Sequence, residues 1–475
     1  MRRDGGRSFR VFGVGIFFTL VSVLLISGCI GRRCDKALRV QVQKHLQSLK
    51  GEPAAWRAMV AEAYAANSDC PIWCEGKALI DTANQALKEI ETAAPRHGLN
   101  PELYHLKKSQ TVCSGADSIA AQVDADLLVS DSITRFIADL HGGVLRRVKE
   151  IEGIPIADRA ELIPKEEVRN AFSDRDPLPL FKVDGFYDYT RLQEKYLKSR
   201  VQNPAEAEAI AANMERNRWM GPAKSDTTHV LVDIARFQAF GVREGKVALA
   251  QKIIVGKEGA ASPMLADEVT TVILNPRWVI PYSIASKEIL PKLQSGTDFL
   301  KEKNYEIYSA EKKDLPLTEE EIAKIDWSEY SEEKFPFRIE QKPGESNPLG
   351  KYEILFPNSQ AVYLHDSPAR SLFETKERMF SHGCIRLEKP RDLVNFVLEV
   401  AGTEESWSQE RIDSVLKDQK RTLIKLRQPI PIYLMYRTVW LTEDNKIANA
   451  KDVYGWDEKI VSTMKELGAW NGNDS

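Results

Sequence analysis

The sequence predicts an α+β protein in which a helical N-terminal scaffold precedes a mostly β domain with a helical lid insertion. Apolar residues in 32–200 recur three or four positions apart, as on one face of a helix. From residue 227 on, short β-branched runs alternate with turn residues, for example at 230–234 and 252–256. Helical spacing returns in 283–335, which predicts the insertion.

The composition is that of an ordinary globular chain. Its 475 residues are 43% hydrophobic and 28% charged, with a net charge of -3. This length supports two or three domains with cores of their own. A nucleic-acid-binding protein would normally be clearly basic, so we expect no nucleic acid as a partner.

The N-terminus has the layout of a secretory signal, with a basic start and an uncharged, mostly apolar run at 11–31. Ser27 and Gly28 before Cys29 resemble the lipobox of bacterial lipoproteins, so we expect a signal peptide over 1–28 and a lipid on Cys29. An uncleaved membrane anchor is the alternative, since the run is just long enough to span. The lipoprotein interpretation predicts a periplasmic protein on the outer rather than the inner membrane, because Ile30 is not the aspartate that often retains lipoproteins at the inner membrane.

Six cysteines divide into an upstream group and a single downstream residue, Cys384. If Cys29 carries lipid, four remain upstream, and in an oxidising compartment they can form two disulfides in any of three connectivities. These four are Cys34, Cys70, Cys74 and Cys113. A metal half-site at Cys70 and Cys74 is an alternative without a matching second pair, and the scattered histidines form no metal set, so we expect no metal.

The predicted domains are a helical scaffold and connector over 29–222, a β domain over 223–460 and a C-terminal tail over 461–475. The insertion carries an acidic run that ends at Glu333. This run predicts either a solvated face or a lid that attracts a cationic group of the substrate.

Cys384 has the surroundings of a nucleophile. It follows Ser381, His382 and Gly383, and His365 lies nineteen positions upstream at the end of a predicted strand. Thiol-based catalysis needs an imidazole that takes the thiol proton or holds it as an ion pair. An inert buried cysteine would sit among apolar residues instead.

These residues resemble the signature of the L,D-transpeptidase (YkuD-type) catalytic domain: His365, fifteen residues, then Ser381 to Cys384, with Arg386 two residues further on. Segments 213–219, 275–281 and 341–350 are similar to the large Gram-negative branch of the family. The resemblance covers about 205–460 well and 75–200 loosely. Unlike that branch, this chain has no room for a peptidoglycan-binding domain before the catalytic domain.

The resemblance implies roles for the site residues. Cys384 attacks a peptide carbonyl, and His365 acts as its base or ion-pair partner, oriented by the main-chain carbonyl of Asp366. The backbone N–H groups around His382, Gly383 and Cys384 form the oxyanion hole, which suits a glycine. Three further residues are candidates for substrate binding: Arg386, Tyr363 and Ser381. Arg386 binds a substrate carboxylate or braces the loop, and Tyr363 packs in a strand or stacks on substrate. His382 supports the catalytic residues without touching substrate, acts directly in catalysis, or is incidental.

The function implied is a cysteine-dependent acyltransferase that forms 3→3 cross-links between peptidoglycan stem peptides through a thioester. The same site would act as an L,D-carboxypeptidase with water as acceptor, or attach and release a wall-linked lipoprotein with a lysine. A non-catalytic wall-associated scaffold lipoprotein is the hypothesis from another class. No cofactor is implied. The expected partners are stem peptides, a membrane reached through the lipid anchor, and carbapenem β-lactams as covalent inhibitors.

Overall fold

The structure is a computed structural model that describes residues 34–48, 54–148, 151, 153–155, 163–183, 188–221, 226–312 and 314–470. The predicted signal peptide, Cys29 and the last five residues lie outside these ranges. Within them, no helix is both long and apolar enough to cross a membrane.

The N-terminal half is helical, as predicted. Its helices are α1 (Lys36–Ser48), α2 (Ala54–Ala66), α3 (Asp81–Arg96), α4 (Leu106–Thr111), α5 (Ile119–Gly142), α6 (Lys165–Ser173), α7 (Tyr189–Gln202) and α8 (Pro204–Met220), with a short hairpin of β1 (Cys74–Glu75) and β2 (Ala78–Leu79). A break separates α7 from α8. Pro204 has no N–H to continue α7, and the Asn203 side chain accepts from the Glu206 N–H and starts α8.

Two disulfides join the four upstream cysteines in one of the three possible connectivities. They join Cys34 to Cys70 and Cys74 to Cys113. This pairing excludes a metal half-site at Cys70 and Cys74, and it leaves Cys384 as the free thiol of the described chain.

The β domain is a sheet that closes on itself. Its strands are β3 (His229–Asp233), β4 (Gln238–Arg243), β5 (Lys246–Gly256), β6 (Leu265–Leu274), β10 (Tyr352–Leu355), β11 (Leu364–His365), β12 (Met379–Ser381), β13 (Ile385–Leu387) and β14 (Thr422–Met435). The order is β12-β5-β13-β11-β10-β6-β14-β3-β4, and β4 also pairs with β5. Closure leaves both β11, which carries His365, and β13, which directly follows Cys384, between hydrogen-bonded neighbours on both sides.

The insertion over 283–335 has a core of its own and is only partly helical. It contains α9 (Tyr282–Ile284), a π-helical turn (Ala285–Ile289), α10 (Leu290–Ser295), α11 (Phe299–Glu302) and α12 (Glu319–Ala323). A three-stranded sheet joins β7 (Trp278–Val279), β9 (Arg338–Gln341) and β8 (Tyr305–Tyr308). Strand β8 was not predicted, because four residues between helices give too short an alternation. Trp327, Phe335 and Ile339 lie in the separate core.

The scaffold and the barrel are continuous in the interior. Buried side chains from α2 to α8 belong to the same hydrophobic core as those of the barrel strands. Helix α8 makes the junction: the Arg216 guanidinium pairs with Asp457 at 2.5 Å. The Asn213 side chain donates to the Thr438 hydroxyl at 2.7 Å. The segment that resembles the large family branch is therefore a structural joint.

A buried ion pair lies at the centre of this joint. Arg218 and Glu215 are 1% and 0% exposed, and their side chains are 2.7 Å apart. The other oxygen of Glu215 accepts from the Leu145 backbone N–H at 2.9 Å and the Trp219 indole at 3.0 Å. Arg218 also donates to the Tyr189 hydroxyl. Glu215 is thus the single carboxylate that these three donors share.

Residues 461–470 of the predicted C-terminal tail pack against the rest of the chain. The last elements are α13 (Pro390–Ala401), α14 (Gln409–Lys417), β15 (Val439–Leu441), β16 (Ile447–Asn449) and α15 (Trp456–Glu466). Helix α15 runs across the expected boundary at 460 and rests on α8. Beyond it, Trp470 is buried and its indole donates to the Tyr196 hydroxyl at 2.7 Å. Burial of Ile460 and Met464 explains why the helix continues.

Candidate active site

Three neighbouring strands bring the predicted residues to one face of the sheet. In register, Glu353 of β10 lies opposite His365 of β11, and His365 lies opposite Arg386 of β13. Opposite residues share a face, and alternation puts Tyr363 and Cys384 on the same face as His365 and Arg386. The other face carries Ile354, Leu364 and Ile385, which are fully buried in the core. Burial of the apolar side chains on one face of these strands therefore fixes the direction in which the reactive side chains on the other face point.

Cys384 is a partly buried thiol held by Tyr363. The Tyr363 backbone and its side chain both hydrogen-bond the sulfur. Burial raises the pKa of the Cys384 thiol, the Tyr363 bonds and the Arg386 charge oppose this, and the Glu353 charge adds to the rise. The pKa stays above its ordinary value, so the resting sulfur is protonated at neutral pH. Tyr363, expected in a strand or against substrate, contacts the nucleophile.

His365 is buried and neutral. Its Nδ1 donates to the main-chain carbonyl of Asp366 at 2.6 Å, as the resemblance implies, so Nε2 is the proton acceptor. Burial, together with the Arg386 charge, lowers the pKa of His365 to about 3, and the carbonyls of Asp366 and Pro348 only partly oppose this shift. A neutral imidazole beside a protonated thiol favours the general-base role over a resting ion pair.

The Asp366 carboxylate is structural. One oxygen accepts from the Ser367 N–H at 2.7 Å and from Arg370 at 2.5 Å, and the other accepts from the Lys351 N–H at 2.8 Å. These bonds fix the carbonyl that orients His365. The turn at 347–350 completes the support, since Pro348 contacts His365 and Gly350 lies against the carboxylate.

Replacing Gly350 by alanine is expected to lower kcat about tenfold or more, because small displacements of a reacting group are costly. Its φ is +61°, and an added Cβ would overlap the Asp366 carboxylate. That overlap would move the carbonyl on which His365 depends. Steady-state kinetics measures the effect.

Gly402→Ala is the matched control. Gly402 has φ +64° and nothing within 4 Å of an added Cβ. It therefore carries the same backbone strain without the contact. Equal kcat losses in the two variants would contradict the role given to Gly350.

Ser381 braces the nucleophile loop instead of binding substrate as expected. Its hydroxyl donates to the Cys384 carbonyl at 2.6 Å and accepts from the Gly383 N–H at 3.2 Å, and the residue is 2% exposed. The Gly383 N–H is therefore already used, which corrects its expected place in the oxyanion hole. Gly383 still needs to be glycine, because its φ is +115°.

Two backbone donors remain for a substrate oxygen. Among the described residues, the N–H groups of His382 and Cys384 donate no hydrogen bond. The His382 side chain points to the surface, 3.1 Å from the Lys257 amine and 3.5 Å from the Glu288 carboxylate of the insertion. Its role is therefore contact with the insertion, on the outer side of the loop.

Arg386 offers a free guanidinium. Its Nε is buried without a hydrogen-bond partner, and no ion pair joins it within the described chain. An arginine that braced the loop would bond to loop carbonyls, so the geometry favours the carboxylate-binding alternative.

Sequence reasoning missed Glu353. Its carboxyl is 8% exposed, and burial raises the pKa of Glu353 to about 7, opposed by the charge of Arg421. The signal was present: an acidic residue stands between Tyr352 and Ile354 on a strand whose neighbours are buried.

A thiol and a neutral imidazole on adjacent strands of a closed sheet form the kind of site that thiol-based acyl transfer requires. Residues 227–416 match the family described as the L,D-transpeptidase catalytic domain (YkuD), and residues 58–184 match a scaffold domain. Residues 227–416 are thus similar to the L,D-transpeptidase catalytic domain of the YkuD family, and they follow a helical scaffold. The predicted family and α+β fold class are confirmed.

A curated relative is a putative L,D-transpeptidase of Haemophilus influenzae, 34% identical over 231 residues. The match covers 49% of this chain and 45% of the relative, so the chain spans about half the length of that protein. A solved structure of an Ldtfm–avibactam carbamoyl enzyme aligns with 46% of this chain and 52% of its own, at 14% identity and a TM-score of 0.18.

Proposed function

We propose that this protein is a cysteine-dependent L,D-transpeptidase that forms 3→3 cross-links between peptidoglycan stem peptides. The observation that carries the proposal is the pairing of the free Cys384 thiol with a neutral, buried His365 on the neighbouring strand. The curated relative's name and the family of residues 227–416 point to the same reaction class.

In the first step, His365 Nε2 takes the thiol proton as the Cys384 sulfur attacks the carbonyl of the third stem residue. The carbonyl oxygen accepts hydrogen bonds from the N–H groups of His382 and Cys384. The C–N bond to the terminal D-alanine then breaks, and His365 returns the proton to the leaving amine. A thioester remains on Cys384.

Arg386 supports the choice of donor. Its unpartnered guanidinium, on the same face as Cys384, is suited to the carboxylate of the terminal D-alanine. A peptide whose terminal carboxylate is blocked would leave this partly buried charge uncompensated.

In the second step, a side-chain amine of another stem attacks the thioester and Cys384 leaves as the thiolate. Water as acceptor gives an L,D-carboxypeptidase, and a protein lysine gives attachment to the wall. These outcomes differ only in the second nucleophile.

The test is to incubate the full chain with purified disaccharide-tetrapeptide and resolve the products by mass. The expected product is the 3→3 dimer with release of D-alanine. Tripeptide without dimer would instead identify the carboxypeptidase, and unchanged substrate would leave the scaffold lipoprotein as the better hypothesis. A carbapenem is expected to acylate Cys384 as a strained amide.

The proposed location is the periplasm, with a lipid anchor on Cys29 in the outer membrane. Disulfides Cys34–Cys70 and Cys74–Cys113 support an oxidising compartment. The anchor would hold the catalytic domain near the wall.

A further inference from the structure

Glu353 occupies a defined position in the cross-strand row of the site. The row runs from Ile273 of β6 through Glu353 and His365 to Arg386, and then to Ile254 of β5. Glu353 and Arg386 thus lie on opposite sides of His365. Directly opposite residues in such a ladder have Cβ atoms about 5 Å apart.

The Glu353 carboxyl has none of the partners that a structural carboxylate normally has. Within the described chain it makes no hydrogen bond and no ion pair, although it is 8% exposed. Asp126, by contrast, is fully buried and accepts from the N–H groups of Ile72, Trp73 and Cys74 and from the Tyr64 hydroxyl. Buried polar groups that serve the fold are normally satisfied. Glu353 has no such partners in the described chain, and it lies on the face of the site, opposite His365.

The charge of Glu353 reaches the reacting atoms. It raises the pKa of the Cys384 thiol and of the Tyr363 hydroxyl. The carboxyl therefore acts electrostatically on the sulfur that carries the acyl group. With a pKa of about 7, it can both accept and release a proton near neutral pH.

The two charged side chains of the row lie on opposite sides of His365 and suit different substrate groups. Arg386 on one side of His365 suits the carboxylate of the donor peptide, and Glu353 on the other side suits a cation. The acceptor of the second step arrives as an ammonium group, which cannot attack until it loses a proton. A carboxylate on the side away from Arg386 meets both needs.

We propose that Glu353 binds the ammonium group of the acyl acceptor and takes its proton before the amine attacks the acyl group on Cys384. This inference rests on the proposed function and names the residue that selects the acceptor. It also favours amines over water as the second nucleophile, because water carries no charge for Glu353 to bind.

The protons balance. The acceptor ammonium gives one proton to the Glu353 carboxylate, and the neutral amine attacks the thioester carbonyl. The C–N bond forms, the C–S bond breaks, and His365 carries the remaining amine proton to the departing sulfur. Glu353 then releases its proton to solvent.

The groups that face Glu353 from neighbouring elements are few. They are His365 and Tyr363 on β11 and its approach, Cys384 and Arg386 at β13, and Arg421 before β14. Strand β6 contributes the apolar Ile273. Only Arg421 opposes the rise in the pKa of Glu353.

The experiment compares wild type with Glu353→Gln, Glu353→Asp and Glu268→Gln. Glu268 is an exposed glutamate of the same sheet and controls for loss of a charge. Acyl-enzyme formation from the tetrapeptide is measured first, by mass and without acceptor. Transfer is then followed across pH to a diamino-acid side chain and to hydroxylamine, which is already uncharged at pH 7.

Glu353→Gln is expected to form the acyl-enzyme at the wild-type rate or faster at pH 7, because the charge that raises the thiol pKa is gone. Transfer to the diamino acid should fall about 10²-fold, the usual contribution of a positioned base. Its rate should follow the titration of the free amine instead of turning near pH 7. Hydroxylamine transfer should stay near wild type, and Glu353→Asp should recover part of the lost rate.

Equal losses with both acceptors, or loss of the acyl-enzyme in Glu353→Gln alone, would assign Glu353 a structural role and overturn the inference. Unchanged transfer to the diamino acid would overturn it too. Failure of wild type to form an acyl-enzyme would refute the proposed function, and this inference with it. The first measurement separates the two failures.

Discussion

Cys384→Ala is expected to lose all turnover, at least about 10³-fold, because no other group can hold the acyl intermediate. The described chain has no second free thiol, and its other cysteines are in disulfides. Tyr363, which bonds the sulfur, has a hydroxyl pKa raised by burial and is a poor replacement. The measurement is dimer formation from disaccharide-tetrapeptide, together with the mass of the protein after exposure to a carbapenem.

Cys384→Ser is the matched control for binding. It keeps a hydroxyl at the same position, so donor peptide should still bind while the acyl-enzyme fails to accumulate, because a hydroxyl is a much weaker acid than a thiol. Residual dimer formation in Cys384→Ala would require a different nucleophile and would refute the mechanism.

Glu215→Ala is expected to give the largest loss of stability. The substitution leaves the buried Arg218 guanidinium without its carboxylate, and two further donors, the Leu145 N–H and the Trp219 indole, lose their acceptor. Removing one partner of a buried pair costs about 3–5 kcal/mol of the free energy of unfolding. Urea denaturation followed by circular dichroism gives this value directly.

Glu208→Ala on the same helix is its control. Glu208 pairs with Lys465 at 2.8 Å, but the two side chains are 40% and 48% exposed. Solvent screens such a pair, so the expected loss is below about 1 kcal/mol. Similar losses in the two variants would show that burial does not set the strength of the Glu215 pair.

Linear motifs made the nucleophile and its base predictable. His365 lies on β11, and Cys384 directly precedes the neighbouring strand β13. The number of residues between them can be read from the sequence. The role of Ser381 was less predictable, because a serine hydroxyl that binds substrate and one that braces a loop look the same in sequence. Only the bonds to Cys384 and Gly383 separate them.

Contacts between distant segments were beyond the sequence. The disulfide pairing depends on where α5 and the β1–β2 hairpin lie in space, so three connectivities stayed open. The position of Glu353 opposite His365 follows from strand register, which the sequence alone does not give. Helix α15 continues past the predicted domain end at 460 because it packs on α8, about 240 residues earlier, and sequence alone does not show that contact.

The shared interior of scaffold and barrel has a thermodynamic consequence. Because Trp470 returns to Tyr196 and Arg216 pairs with Asp457, neither half can expose its apolar surface while the other stays intact. The chain should therefore unfold in one cooperative transition, although its two parts match two different family models. By linkage, a peptide bound at Cys384 raises the free energy of unfolding of helices far from it. The stability of the scaffold is therefore linked to the binding of the substrate.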